Sequence, residues 1–223
     1  MSTVSPEISN MITDYILGIW SVYLAVRLYK ENKLIRHKSI SLWETVFIAT
    51  AICAFSGGSY HGLKSLISST YLEILWRIML YSLALASLFL MSAVITAVFS
   101  DTLRKWLIRV AIIKFLVLAV YLGWNTDFID VMYDYVPSLI IILIMLIVIK
   151  VKNRDSYAHW IIAGIVITFV GSGVYISKLS IHKTYFNDSD IMHVLQMVSM
   201  YLWYKGGILM GNQAVIQDKN HGY

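Results

Sequence analysis

The sequence predicts an all-α fold, a polytopic membrane protein built as a seven-transmembrane-helix bundle with its N-terminus outside. Three observations support this: 58% of the 223 residues are hydrophobic, only 14% are charged, and the apolar residues form long runs. A soluble domain has roughly 45–50% apolar and about 25% charged residues. A helix needs about 20 residues to cross roughly 30 Å of hydrocarbon, and several of the runs approach that length.

Seven apolar runs, taken in chain order, define the elements. They predict spans at residues 12–29, 40–62, 72–99, 106–124, 136–151, 160–179 and 191–210. The connections between them are short, which favours antiparallel neighbours in one compact bundle. Residues 211–223 remain as a short tail.

The charges in the connections predict the orientation. Lys and Arg collect in the odd-numbered connections, at Lys30, Lys33, Arg36, Lys38, Arg104, Lys105, Lys150, Lys152 and Arg154. The fourth connection instead has three Asp and no Lys or Arg. By the positive-inside rule the odd connections and the tail are cytoplasmic. The pattern therefore indicates a multi-pass protein of the plasma (cytoplasmic) membrane.

Composition excludes several other classes. The net charge of +5 does not indicate nucleic acid, because the basic residues lie between spans, so membrane lipids are the expected partners. The first residues lack a basic region and carry Glu7 and Asp14, so we expect no cleavable signal peptide. Cys53 is the single cysteine, which excludes an intrachain disulfide.

Small residues and a histidine mark the outer end of the second span, in AFSGGSYHGL. Ala54, Gly58 and Gly62 recur at every fourth position, which lets another helix approach closely. Gly57 lies one turn before His61 on the same face and leaves room beside the imidazole. Taken alone, the motif favours a packing seam with a hydrogen-bonded histidine over a functional one.

The start of the seventh span, TYFNDSDIMHVLQM, has a polar face. Asn187 or Ser189 can cap the helix. Asp190 and His193 are three residues apart and project from one face, which Gln196 continues by another turn. An Asp-x-x-His pair of this kind can bring a carboxylate oxygen and an imidazole nitrogen to one metal ion.

The predicted topology brings the two motifs to one level. The second span runs outward to His61 and the seventh begins near His193, so both imidazoles fall near the outer face. His61, His193 and one of Asp190 or His182 would make three protein ligands and leave a fourth position for water, as in catalytic zinc sites. Zinc is therefore the expected cofactor, with bound water as nucleophile.

Other polar residues within the spans allow two interpretations each. Glu73 and Arg77, four residues apart, predict a structural ion pair, although Arg77 could instead hold a substrate headgroup. Lys114 lies midway along the fourth span with no partner evident from the sequence, and intramembrane lysines usually face the bundle interior. Asp14 is either interfacial or part of the polar layer near the outer face.

Seven spans with these two motifs resemble the CREST superfamily, which includes alkaline ceramidases, the progestin and adipoQ receptors and the Per1-type proteins. The nearer likeness is to bacterial membrane proteins carrying GG-x-x-HG and FN-x-x-D-x-x-H-x-x-Q segments. The resemblance implies a zinc ion held by histidines of the second and seventh spans, and hydrolysis of lipid amide or ester bonds. Only His61 and His193 match the histidines of that family. Its seventh span carries a His-x-x-x-His motif, whereas here Ser189 and Met197 stand four residues before and after His193.

Two functional hypotheses follow. The first is a zinc-dependent hydrolase of a lipid amide or ester, with His61, His193 and Asp190 on the metal and Ser56 or Ser59 stabilising the oxyanion. The second is a non-enzymatic receptor, transporter or assembly protein. Its His/Asp layer would bind a ligand or hold helices together.

Overall fold

The computed structural model describes residues 6–153 and 156–220, so Arg154 of the fifth connection and residues 221–223 of the tail lie outside it. Within these ranges the regular elements are seven helices and no strand. The helices are α1 (Pro6–Ile35), α2 (Lys38–Leu63), α3 (Ser69–Val98), α4 (Asp101–Tyr121), α5 (Phe128–Asn153), α6 (Ser156–Ile176) and α7 (Asp188–Asn220). The prediction of an all-α fold is confirmed.

Five of these helices, α1, α2, α3, α5 and α6, are long and apolar enough to cross a membrane. Their outward-facing side chains are apolar as well: Ile144 and Val148 of α5 are 57% and 59% exposed. Such a surface is costly in water and costs nothing against lipid tails, which are as apolar as leucine. The count of seven crossings and the outside position of the N-terminus stay predictions.

Several helices extend beyond the apolar runs that predicted them, whereas α4 and α6 end three residues before the ends of their runs. α1 begins at Pro6, α5 begins at Phe128, and α7 continues to Asn220 through most of the predicted tail. Hydropathy marks the residues that match the hydrocarbon layer, whereas a helix continues for as long as its backbone hydrogen bonds and caps are satisfied. Polar residues of the connections are therefore helical, and several of them shape the site described below.

The core of the bundle lies where α2 faces α7. Trp43 and Trp203 are both buried, with ring centroids 6.3 Å apart. Glycines allow this approach: a Cβ at Gly207 would lie 3.0 Å from the Trp43 ring, and one at Gly164 would lie 2.4 Å from the Trp203 ring. α1 and α3 pack on either side of α2, α6 packs on α7, and α4 lies at the edge against α3.

The alternating helices give the bundle two distinct ends. One end, called the site end here, combines the N-terminal ends of α1, α3, α5 and α7 with the C-terminal ends of α2, α4 and α6. Lys64 after α2 pairs with Glu7 of α1 at 2.9 Å, and Arg77 of α3 donates to the carbonyl oxygen of Leu122 after α4. The opposite end, called the basic end, carries the first turns of α2 and α4.

Candidate functional site

A cavity of about 520 Å³ opens at the site end. Asp14 of α1, His61 of α2 and His193 of α7 all line it, so the two predicted histidines do reach a common space. Aromatic and thioether side chains from α3 and α5, including Trp76 and Phe128, form an apolar wall. The cavity therefore combines titratable groups with an apolar surface, as ligand sites commonly do.

The N-terminus of α7 is fastened to α1 beside this cavity. Of the two caps that the sequence allows, Asn187 is the one used: its Oδ1 accepts hydrogen bonds from the backbone N–H groups of Ser189 and Asp190, at 2.9 and 3.2 Å. Its Nδ2 donates to Oδ1 of Asn10 at 2.8 Å. Because one side chain both caps α7 and contacts α1, the start of α7 has a defined position.

Asp190 supports the site from behind. It is completely buried and accepts hydrogen bonds from Ser9 Oγ at 2.6 Å, from Thr13 Oγ1 at 2.8 Å and from the backbone N–H of Asn187 at 2.9 Å. Three donors satisfy a buried carboxylate well. Asp190 does not line the cavity. The carboxylate that the sequence indicated as a possible metal ligand instead accepts hydrogen bonds from α1 and from the residue that precedes α7.

Thr13 links Asp190 to His193 and orients the imidazole. Its Oγ1 lies 2.8 Å from Asp190 Oδ1 and 2.9 Å from His193 Nδ1. A carboxylate can only accept, so the single hydroxyl proton goes to Asp190, and Thr13 in turn accepts from the Nδ1–H group of the neutral ring. This assignment leaves the lone pair of His193 on Nε2.

Asp14 supplies the carboxylate that faces His193. It is 6% exposed, and its Oδ1 lies 3.3 Å from His193 Nε2. The paired glycines of α2 make room for it: a Cβ at Gly57 would be 3.4 Å from Asp14 Oδ2, and one at Gly58 would be 3.0 Å from Asp14 Cβ. The predicted close approach of a helix is that of α1. The space at Gly57, expected beside the histidine, holds the Asp14 carboxylate because α1 packs on this face.

His61 reaches the cavity from the end of α2. It is half-buried, and its ring meets that of Tyr60 edge-on at 5.6 Å between centroids. Tyr60 in turn contacts Trp76 of the apolar wall at 4.8 Å. His61 therefore lies on the side of the cavity where polar and apolar surfaces meet.

The chemistry of Asp14 and His193 fits zinc as a pair. Two ligands of one tetrahedral zinc at about 2.0–2.1 Å lie about 3.3 Å from each other, which is the separation of Asp14 Oδ1 and His193 Nε2. The lone pair assigned to Nε2 is the one that a metal needs. Across residues 6–153 and 156–220, no group of three or more His, Cys, Asp or Glu is arranged to hold a metal ion, so His61 would have to move closer to complete a set.

The two serines predicted to stabilise an oxyanion lie outside the cavity lining. Ser59 Oγ is 3.1 Å from the hydroxyl of Tyr15 on α1, and Ser56 is buried in α2. Ser59 therefore faces α1 rather than the open space. Ser189, by contrast, lines the cavity.

Three further residues considered from the sequence are also away from the cavity lining. His182 is exposed in the α6–α7 connection, where its Nδ1 accepts from the backbone N–H groups of Thr184 and Tyr185. Gln196 is half-buried one turn beyond His193. Arg77 forms the predicted ion pair with Glu73 at 2.8 Å, which confirms its structural interpretation.

Lys114 has a partner that the sequence did not reveal. Its Nζ lies 2.8 Å from Asp134 Oδ1 on α5 and donates to Ser138 Oγ. Ser87 of α3 donates to the other oxygen of Asp134 at 2.8 Å. This polar network ties α3, α4 and α5 together.

Asp14 is the cavity residue that the sequence patterns did not single out as a candidate ligand. A signal was present, because Ser9, Asn10, Thr13 and Asp14 form a polar face on the first turns of α1 at spacings of one, four and five residues. Each of these four residues contacts α7, or the connection before it, in the structure.

Comparison with known proteins places the chain in a family. The model of a family described as a family of unknown function (DUF6962) matches residues 9–212, which include every residue of the site just described. No curated protein matches the chain.

Proposed function

The chain belongs to the DUF6962 family, and we propose that it is a zinc-dependent membrane hydrolase acting on a lipid amide or ester bond. One observation carries this proposal. A carboxylate oxygen and an imidazole nitrogen from different helices, Asp14 Oδ1 and His193 Nε2, lie 3.3 Å apart in a cavity that His61 also lines. The resemblance to the CREST superfamily supports the same chemistry.

The proposed ligands are Asp14, His61 and His193, with Asp190 as the residue that holds His193 in place. Zinc, when bound, supplies a Lewis acid that polarises a carbonyl oxygen and lowers the pKa of water to about 7. Thr13 keeps the Nε2 lone pair of His193 directed at Asp14 through the hydrogen bonds to Asp190 and His193. Such outer partners commonly change metal affinity 10–100-fold when removed.

The surroundings suit a lipid substrate. Trp76, Met79 and Phe128 offer an apolar wall to an acyl chain, and Lys178 and Lys183 lie at the polar rim. In the proposed topology the site end faces outward in the plasma membrane. An acyl chain would then enter from the bilayer while the scissile bond reaches the polar groups.

Metal analysis of the detergent-purified full chain tests the proposal. We expect one zinc per chain in the wild type and its loss in Asp14→Ala, His61→Ala and His193→Ala. Ser56→Ala is the matched control, since Ser56 lies on α2 outside the cavity lining. Zinc-free wild-type protein that also fails to take up added zinc would reject the proposal.

Turnover is tested separately. Zinc-loaded protein should release fatty acid from at least one member of a panel of ceramides, N-acyl lipids and phospholipids. Zinc binding without release from any of them would reject hydrolysis while leaving the metal site intact.

A second function is favoured by one observation, the lack of a ready set of three donors among the described residues. In that case the chain is a non-enzymatic receptor, transporter or assembly protein, and a proton between Asp14 Oδ1 and His193 Nε2 links the two side chains and holds α1 against α7. Asp14→Ala and His193→Ala would then lower stability in zinc-free protein by similar amounts. Their effects would not add, because both variants remove the same interaction.

A further inference from the structure

A second cavity, of about 500 Å³, lies at the basic end of the bundle, far along the helices from the site already described. Three helix ends form it: the starts of α2 and α4 and the end of α3. Its polar lining consists of His37, Lys38, Thr96, Arg104, Lys105 and Arg109.

The charge of this cavity is strongly positive. Four of its lining residues are Lys or Arg, and the acidic neighbour, Asp101, pairs with both Arg104 and Lys105. Four positive charges less one negative charge leave a net charge of +3. Lys38 and Arg109 form no ion pair with an acidic side chain of residues 7–151 or 156–213. Such a concentration of charge attracts an anion.

The helix ends add to this attraction. α2 begins at Lys38 and α4 at Asp101, so the positive ends of two helix dipoles meet at the cavity. The N-cap residue of α4, Ser100, makes no side-chain hydrogen bond to the first turn. The lining from α4 begins at Arg104, whose N–H already bonds to Ser100, so α4 contributes the field of its dipole rather than backbone donors.

Thr96 provides an independent sign of a missing ligand. It is 4% exposed, lines the cavity, and its Oγ1 is buried without a hydrogen-bond partner among the described residues. A buried hydroxyl without a partner is costly. Because Oγ1 itself has almost no accessible surface, the side chain would turn about χ1 to donate to an anion oxygen in the cavity.

We propose that this cavity binds a phosphate group with net negative charge, as carried by the headgroup of an acidic phospholipid or by a small water-soluble phosphate. The adjoining surface favours the lipid source. Trp106 of α4, which follows Lys105 in the chain, is 63% exposed and presents apolar surface to an acyl chain. The positive-inside rule accounts for basic residues near this end, but it requires neither an enclosing cavity nor an unpaired hydroxyl at its wall.

The test measures binding to the purified full chain in neutral detergent by isothermal titration calorimetry. The probes are dihexanoyl phosphatidic acid, dihexanoyl phosphatidylcholine and inorganic phosphate. The Lys38→Gln/Arg109→Gln double variant should bind phosphatidic acid about tenfold more weakly. The control, Lys30→Gln/Lys33→Gln, removes the same charge from the same end but outside the cavity lining and should bind as the wild type does.

Thr96→Val gives a second variant that does not depend on charge. It should weaken phosphatidic acid binding about threefold, and the melting temperature should stay level or rise because the lost hydroxyl had no partner. Binding of inorganic phosphate as tight as that of phosphatidic acid would support the site and assign it to a water-soluble phosphate. Three results would overturn the proposal: no binding of either anion, equal binding of phosphatidylcholine, or equal weakening in the control double variant.

Discussion

Replacing Asp190 with alanine tests whether this carboxylate supports the site. The change removes the acceptor of three hydrogen bonds at a residue with no exposed surface. Ser9 Oγ can turn to the carbonyl oxygen of Tyr185 at 3.0 Å, and Thr13 Oγ1 has the carbonyl oxygen of Asn10 at 3.2 Å. The backbone N–H of Asn187 has no second acceptor among the described residues, so it becomes an unsatisfied buried donor.

The magnitude follows from these contacts. Hydrogen bonds to a charged group are worth about 1.5–3 kcal/mol each, and an orphaned buried donor costs about 1–3 kcal/mol. Two of the three donors find weaker alternatives, so the losses do not sum fully. We therefore expect Asp190→Ala to lower the free energy of unfolding by about 3 kcal/mol.

Asp188→Ala is the matched control, because it removes the same side chain two residues earlier on α7. Among the described residues Asp188 pairs with Lys178 alone, at 3.3 Å; the Lys178 side chain is 69% exposed and that of Asp188 is 16% exposed. An ion pair of this kind contributes about 0–1 kcal/mol. Unfolding of both variants by detergent titration in bicelles measures the difference. Equal destabilisation by the two changes would refute the supporting role assigned to Asp190.

The remaining predictions concern the rest of the bundle. Lys114→Met should lower the free energy of unfolding by about 3 kcal/mol, because it leaves the Asp134 carboxylate, whose side chain is 8% exposed, without its cation. Adding Asp134→Leu should recover part of the loss. An additive loss in the double variant would refute the pairing. Gly58→Ala should destabilise by about 1 kcal/mol, since overpacking against Asp14 and the Tyr15 ring at 3.0–3.1 Å outweighs the gain in helix propensity. Gly173→Ala, which meets no atom within 4 Å, should instead stabilise by up to about 1 kcal/mol, and thermal unfolding of the two variants side by side measures the contrast. Ser59→Ala should leave zinc content and turnover unchanged, because Ser59 contacts Tyr15 outside the cavity lining. Loss of turnover with zinc retained would instead support the predicted role of Ser59 in stabilising an oxyanion.

Local patterns predicted the features that depend on residues near one another in the chain. Apolar runs indicated the helices in their correct order, because helix formation and hydropathy act over about 20 neighbouring residues. The cap at Asn187 and the Glu73–Arg77 pair could be predicted for the same reason, since each lies within about one helical turn. The exact helix ends were harder to predict, because polar residues beyond an apolar run can remain helical and hydropathy does not mark them.

The sequence by itself determined an all-α chain of seven helices, their order, and the two histidines that share one cavity. Only the tertiary structure decided which carboxylate faces His193 and which one supports it, and which residue pairs with Lys114. These contacts join different helices, and they depend on how far each helix is rotated about its axis and how closely two axes approach. Gly57 and Gly58 set that approach for α1 by admitting Asp14, and no pattern within α1 alone contains that information.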